Sequence, residues 1–293
     1  MNGVLIIDKP RGLTSHDVVN RVRRILGQRS VGHLGTLDPS ATGVLPIVIG
    51  SFTRLARFYA HADKKYEGVI RFGFSTTTYD AEGEPTSPPQ NVILNCDELR
   101  ALAAEFQGMI QQTPPPFSAK KIAGVPAYRL ARKRHEVPLK PVQVEIKEFS
   151  VTGVAGEQAT FQAHVSSGTY IRSVADEMGR KLGCGAHLVS LHRTAVAEFA
   201  IEDAHMLEDL ETAARQGIVE ELFVHPRQLL PHMPSVTATE ADVSLIRCGR
   251  AVNLPELSRA PRVKVFLGQR DLIAIATRVA GTLFHPSIVL SAD

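Results

Sequence analysis

No stretch of this chain is apolar for long enough to cross a bilayer. The longest runs, residues 4–7 and 44–50, fall far short of the ~20 residues a spanning helix needs. The first reaches Asp8 at once and has no basic segment before it, so it does not read as a secretory signal. Cysteine is scarce: Cys96, Cys184 and Cys248 lie far apart, which argues against a disulfide framework or a zinc site and suits a reducing cytoplasm. Also missing are a Gly-rich phosphate loop ending in Gly-Lys-Ser/Thr, a dinucleotide fingerprint behind a strand, a metal-ligand cluster and any fixed-period repeat. An enzyme with these gaps must work through a side-chain nucleophile or base and through positioning.

What is present is a globular composition. At 293 residues, with 44% hydrophobic and 22% charged side chains, the chain is long enough for one large domain and a small one. Net charge is only +3, but it is unevenly spread. Residues 1–71 carry Lys9, Arg11, Arg21, Arg23, Arg24, Arg29, Arg54, Arg57, Lys64, Lys65 and Arg71 against five acids. A second basic block runs over residues 120–140, and the compensating acids gather at 202–221. A face of this kind suits a polyanion, whose neutralised phosphates release counterions, and it is equally what an ordinary solvated surface looks like.

Periodicity predicts a buried strand over 3–7 broken by Lys9-Pro10-Arg11-Gly12, then a helix opened by the capping-box pattern Thr14-Ser15-His16-Asp17. Its apolar stripe of Val18, Val19, Val22, Ile25 and Leu26 ends at Gly27, with the arginines outward. Further strands are expected over 44–49 and 65–72, a helix over 99–106, a hairpin pair over 143–153 and 159–165, and a helix over 174–182. The stiff segment Thr113-Pro114-Pro115-Pro116-Phe117-Ser118-Ala119-Lys120-Lys121 excludes regular structure and reads as a substrate-facing loop. Pro231 and Pro234 read as a linker, followed by short strands at 263–267, 272–276 and 287–290 in a β-rich unit of roughly sixty residues, near the lower limit for independent folding.

The most deliberately held acid is Asp38, in Gly32-His33-Leu34-Gly35-Thr36-Leu37-Asp38-Pro39-Ser40-Ala41-Thr42-Gly43-Val44-Leu45. Pro39 restricts Asp38 to extended backbone, and Gly35 and Gly43 permit positive φ or close approach of a bulky group. Asp-Pro is also an ordinary helix start; the neighbouring histidine and the two glycines, taken with the motif matches that follow, favour a site.

Taken with Asp8-Lys9-Pro10, Lys65-Tyr66, Pro114-Pro115, Phe117-Ser118-Ala119-Lys120, Gly168-Thr169-Tyr170-Ile171-Arg172 and Leu188-x-x-Leu191-x-Arg193, that segment resembles the bacterial tRNA pseudouridine synthase B (TruB) family, in the family's order. The likeness covers most of residues 3–200. Leu34 stands where the family usually has a small polar residue. After residue 230 the likeness is weaker, and residues 249–252 and 281–283 are similar to the family's PUA-type RNA-binding module. The resemblance implies an α+β fold: a mixed, mainly antiparallel sheet with flanking helices over residues 1–230, the catalytic domain, and a β-rich PUA-like domain over 231–293. It implies isomerisation of uridine-55 in the tRNA T-loop to pseudouridine without cofactor or metal.

By the same resemblance Asp38 attacks C1′ or removes the C2′ proton, and Arg172 keeps its carboxylate ionised. Tyr66 stacks on the base and serves proton transfer at C5; Tyr170 and Leu191 line the uracil pocket. His33 contacts RNA or fills the place of the extruded nucleotide, and Lys9 with Pro10 supports the floor. The target base must be turned out of its stack, and the basic segments at residues 21–29 and 120–134 are candidate phosphate contacts. A cytoplasmic monomer with tRNA as its partner is expected, with a tRNA-folding chaperone activity able to accompany catalysis. The rival readings are a guide-dependent rRNA enzyme of the same superfamily and a chaperone without catalysis.

Overall fold

The computed structural model describes residues 1–117 and 140–290, and only the backbone of 121–122 and 125–126 between them. The first strand, β1 (Gly3–Lys9), buries nearly all its side chains, as its unbroken apolar run requires. Helix α1 (Ser15–Leu26) starts at the expected capping box, with the Asp17 N–H donating to Thr14 Oγ1 at 3.0 Å and the Thr14 N–H donating to Asp17 Oδ2 at 3.0 Å. It stops at Gly27, whose φ of 60° takes the left-handed cap. Strands β2 (Val31–His33), β3 (Thr42–Ile49) and β4 (Lys64–Phe72) follow, then α2 (Cys96–Ala104) and β5 (Gly108–Gln112). After the two-residue strands β6 (Lys121–Ile122) and β7 (Val125–Pro126) come the hairpin β8 (Val142–Ala155) and β9 (Gln158–Val165), then α3 (Ile171–Lys181), β10 (Ala186–Val196) and β11 (Phe199–Ala200).

These strands, except the β6–β7 ladder, make one sheet ordered β1-β3-β10-β4-β9-β8-β5, with β2 on β3 and β11 on β10. Every pairing in it is antiparallel except the short parallel join of β10 to β3, His192 to Thr42 and Arg193 to Gly43. That join depends on Gly43. Its φ is 100°, and a Cβ there would lie 2.3 Å from the Arg193 carbonyl oxygen. The sheet therefore closes over the loop of residues 34–41, which leaves β2 and re-enters β3.

Helix α3 packs on one half of the sheet in a core that includes Ile70, Phe72, Phe149, Phe161, Val174 and Met178. Helix α1 and α4 (Leu207–Gln216) pack on β1 and β3 at the other end. The chain finishes in a five-stranded sheet of β12 (Ser235–Thr237), β13 (Val252–Asn253), β14 (Arg262–Leu267), β15 (Asp271–Ala280) and β16 (Leu283–Val289), ordered β12-β14-β15-β16-β13, with α5 (Glu240–Arg247) beside it. The mixed, mainly antiparallel α+β architecture is the one expected.

Two expectations change. The segment around Pro231 is no loose connection: Leu229 and Leu230 are fully buried in a core shared by Val4, Phe52 and Phe199 with Phe266, Leu272 and Ile288 of the last sheet. Proline marks a bend there, and the apolar residues on either side of it dock the two sheets. Arg21 is not free for phosphate either. It pairs with Glu211 at 2.8 Å and Glu208 at 3.0 Å on α4, while Arg23 donates to the Val31 carbonyl at 2.8 Å. Of the acids at 202–221, Glu208 and Glu211 thus compensate Arg21 of α1 directly, side chain to side chain. The basic block at 120–140 lies outside the described residues apart from Lys140 and the β6–β7 backbone.

Candidate active site

The loop that carries Asp38 is tied down on both sides of it. Ser15 Oγ accepts the Leu37 N–H at 2.8 Å and donates back to the Leu37 carbonyl at 3.2 Å. The Pro39 carbonyl accepts from the Gly12 N–H at 2.8 Å and from Lys9 Nζ at 3.3 Å. Lys9 Nζ also donates to the carbonyls of Pro10 and Leu13, at 2.9 and 2.7 Å. Buried with no solvent contact, it has its pKa lowered to about 8, chiefly by desolvation, against the pull of Asp38. Upstream, the carbonyls of Gly35 and Thr36 accept from Arg193 at 3.0 and 3.2 Å. Asp38 is held by its neighbours' backbone, which leaves its own carboxylate for other work.

That carboxylate meets Arg172. Arg172 Nε lies 2.9 Å from Asp38 Oδ2, with the arginine side chain 6% exposed and the aspartate side chain 39% exposed. Arg172 stands in the first turn of α3, which the segment after β5 fixes in place. Gln112 accepts the Tyr170 N–H at 2.8 Å and donates to the Tyr170 carbonyl at 3.1 Å, and Ser173 Oγ donates to the Thr113 carbonyl at 2.9 Å. The Phe117 carbonyl accepts from Arg172 Nη2 at 3.0 Å. The start of the proline-rich segment therefore supports Arg172; its continuation from Ser118 to Lys120 lies outside the described residues.

The remaining nitrogen of the guanidinium serves a second acid, which sequence reasoning missed. Arg172 Nη1 lies 3.3 Å from Asp80 Oδ2 and donates to the Thr78 carbonyl at 3.2 Å. Asp80 Oδ1 in turn accepts from Thr78 Oγ1 at 2.5 Å and from the Glu82 N–H at 3.0 Å. Desolvation pushes the Asp38 pKa up from its usual value; Arg172 opposes this and Asp80 adds to it. Arg172 pulls the Asp38 pKa down as expected, but desolvation, with the Asp80 charge added to it, leaves that pKa above the usual aspartate value.

A narrow recess is lined by Asp38, Ala41, Asp80, Arg172, Leu188 and Leu191 among others. Of the expected site residues, Asp38, Arg172 and Leu191 meet on its wall. Tyr66, 9% exposed on β4, and Tyr170, at the start of α3, lie outside that lining set, as do Lys9 and His33. Tyr66 pairs across the ladder with Arg193. His33 sits at the end of β2, where burial and the Arg193 charge lower its pKa and favour the neutral ring. No group of three or more His, Cys, Asp or Glu able to hold a metal occurs among the described residues.

The family model described as TruB family pseudouridylate synthase (N terminal domain) matches residues 23–171, across the Asp38 loop and up to Tyr170 and Ile171. The model for the tRNA pseudouridylate synthase B C-terminal domain continues from 172 to 233. This chain belongs to the TruB family. A relative from Solibacter usitatus (strain Ellin6076), called tRNA pseudouridine synthase B, is 46% identical over 99% of this chain and 100% of its own length. One from Aquifex aeolicus (strain VF5), of the same name, is 39% identical over 91% of this chain and 92% of its own. Among solved structures, a chain of a Cbf5-Nop10-Gar1 complex superposes with a TM-score of 0.73 at 24% identity, covering 99% of this chain and 85% of that one. At that identity the superposition speaks for the TruB-type fold alone. No helix among the described residues is long and apolar enough to cross a membrane.

Proposed function

We propose that this TruB-family chain isomerises uridine-55 in the T-loop of tRNA to pseudouridine. The observation that carries the reading is the Asp38 carboxylate held 2.9 Å from the Arg172 guanidinium on the wall of a small recess that also contains Leu191. Product and substrate are isomers, so no oxidant, reductant or group donor enters the balance. The N1–C1′ bond breaks, uracil turns, C5 bonds to C1′, the C5 hydrogen leaves as a proton and N1 gains one. Asp38 starts the sequence as a carboxylate, by adding to C1′ or by taking the C2′ proton. Arg172 orients it and offsets the charge that builds on it.

Tyr66 supplies a ring for the base and a hydroxyl for the proton at C5; Tyr170 and Leu191 bound the uracil; His33 meets the RNA where the nucleotide has been turned out. Lys9 and Ser15 keep the Asp38 loop in place. The C-terminal domain, residues 231–293, acts as a PUA-type module on a more distant part of the tRNA, and the protein works as a cytoplasmic monomer. The test is direct: unmodified tRNA transcript incubated with the protein should acquire one pseudouridine, at position 55, when mapped by chemical adduct and primer extension. Modification elsewhere only, or none, would sink the proposal.

A further inference from the structure

Around the Asp38 recess, the buried cations have their donors already committed to the protein. Arg172 gives Nε to Asp38, Nη1 to Asp80 and the Thr78 carbonyl, and Nη2 to the Phe117 carbonyl. Lys9, with no exposed surface, directs its ammonium to the carbonyls of Pro10, Leu13 and Pro39. An ammonium has three donors, so none is left for a ligand. The recess lining holds one further cation, Arg11, which stands at the exposed rim together with Glu82. Among the described residues the Arg11 side chain has no hydrogen bond, ion pair or ring contact. A nucleotide brought to Asp38 carries its phosphates toward a lining with three carboxylates, Asp38, Asp80 and Glu82, and only two guanidinium groups. Arg11 is the one of the two with donors to give.

The backbone beneath Arg11 is tied to the loop that carries Asp38. Strand β1 ends with Lys9 paired to Gly43, at the start of β3. Gly12 turns the chain at a φ of 91° and donates its N–H to the Pro39 carbonyl at 2.8 Å. Lys9 Nζ bridges both segments, and Ser15 exchanges two hydrogen bonds with Leu37. The Arg11 backbone therefore keeps a fixed place beside Asp38, while its side chain is free to meet a ligand. A planar guanidinium matches two oxygens of one phosphate, and only a ribose separates a nucleotide's phosphate from its C1′. A phosphate gripped at Arg11 thus helps to set where C1′ lies against the Asp38 carboxylate.

We propose that Arg11 binds a backbone phosphate next to the target uridine and anchors the RNA strand at the rim of the recess. The inference rests on the isomerase reading above. It is tested with Arg11→Gln and Arg11→Lys, through Kd for tRNA by filter binding between about 50 and 200 mM salt and through kcat and KM for tritium release from tRNA carrying 5-tritiated uridine. Arg11→Gln should raise Kd and KM by about tenfold with kcat within about threefold, and should flatten the slope of log Kd against log salt by about 0.7 to 1. Arg11→Lys keeps the charge and should recover the slope and most of the affinity. Ligated tRNAs with a neutral methylphosphonate at one phosphate flanking the target at a time identify the partner. At one of these positions the modification should weaken binding to the wild type by about tenfold, and binding to Arg11→Gln by less than about threefold. An unchanged Kd and salt slope, a fall in kcat with KM intact, or a methylphosphonate loss as large in Arg11→Gln as in the wild type at every position would overturn the assignment. A wild type that binds tRNA and releases no tritium sinks the isomerase reading instead, and the Kd series then decides on Arg11.

Discussion

In the recess, Arg172 divides its donors between Asp38 and Asp80, and the two acids feel each other through it. The consequence is a definite pH behaviour. Asp38 has its pKa raised by desolvation and by Asp80, so in the proposed reaction activity should be lost on acidification at a pH above the ordinary aspartate value of 3.8. Asp80→Asn removes the like charge. The acid limb of the kcat profile should then move to lower pH, while the plateau drops by about tenfold or more as Arg172 loses one anchor. A kcat profile measured on both proteins checks this; an acid limb that stays put would show that Asp80 does not act on Asp38. The pairing of Asp38 with Arg172 was expected from the family's motif order, Asp38 in its Gly-marked loop and Arg172 just behind the Gly168 turn. Asp80 was not, since it lies in the irregular stretch 73–95 with no periodicity, 92 residues from its partner in sequence.

At the scale of elements, the site exists where β10, paired with β4 along its length, is joined on its other edge to β3. The parallel join is only two residue pairs long and requires the bare Cα of Gly43. Gly43→Ala puts a methyl group 2.3 Å from a carbonyl oxygen at a φ of 100°, and should destabilise the protein by about 1–3 kcal/mol or more, with a loss of turnover greater than the loss of tRNA affinity. Urea unfolding and a KM-against-kcat comparison measure both; a variant as stable and active as the wild type would mean that the strands can part without harm. Strand and helix positions along this sheet were legible because alternation and capping are local signals: Tyr66, Ile70 and Phe72 face one way, and Thr14 with Asp17 starts α1. Which strands become neighbours was not. Gly43 gives no hint in sequence that its partner is Arg193, and Gln112, which clamps Tyr170 by two hydrogen bonds, is an ordinary strand-end residue until the chain has folded.

Across the whole molecule, the last sheet is joined to the first by a shared apolar core and a polar joint. Glu198 Oε1 accepts from the Tyr59 hydroxyl at 2.5 Å and from the Leu230 N–H at 2.8 Å, and Lys264 Nζ donates to the carbonyls of Arg227 and Leu229 at 2.8 and 2.6 Å. Composition alone read this region as a connection, because prolines announce a bend and do not say what covers the leucines beside them. Leu229→Ala should cost about 2–5 kcal/mol and lower the melting temperature of the whole protein in one transition, since both sheets line that core. Two separate transitions, or no shift, would show that the sheets are independent. The same rigidity would let a C-terminal module aim the recess at a fixed point on a folded RNA. The central claim is that Asp38, held against Arg172, remakes the glycosidic bond, and tritium release from [5-³H]uridine tRNA by wild type and Asp38→Asn tests it most directly. Asparagine keeps the shape but neither attacks C1′ nor takes the C2′ proton, so release should fall by about a thousandfold or more while tRNA binding stays within about threefold of wild type; release by Asp38→Asn at the wild-type rate would contradict it.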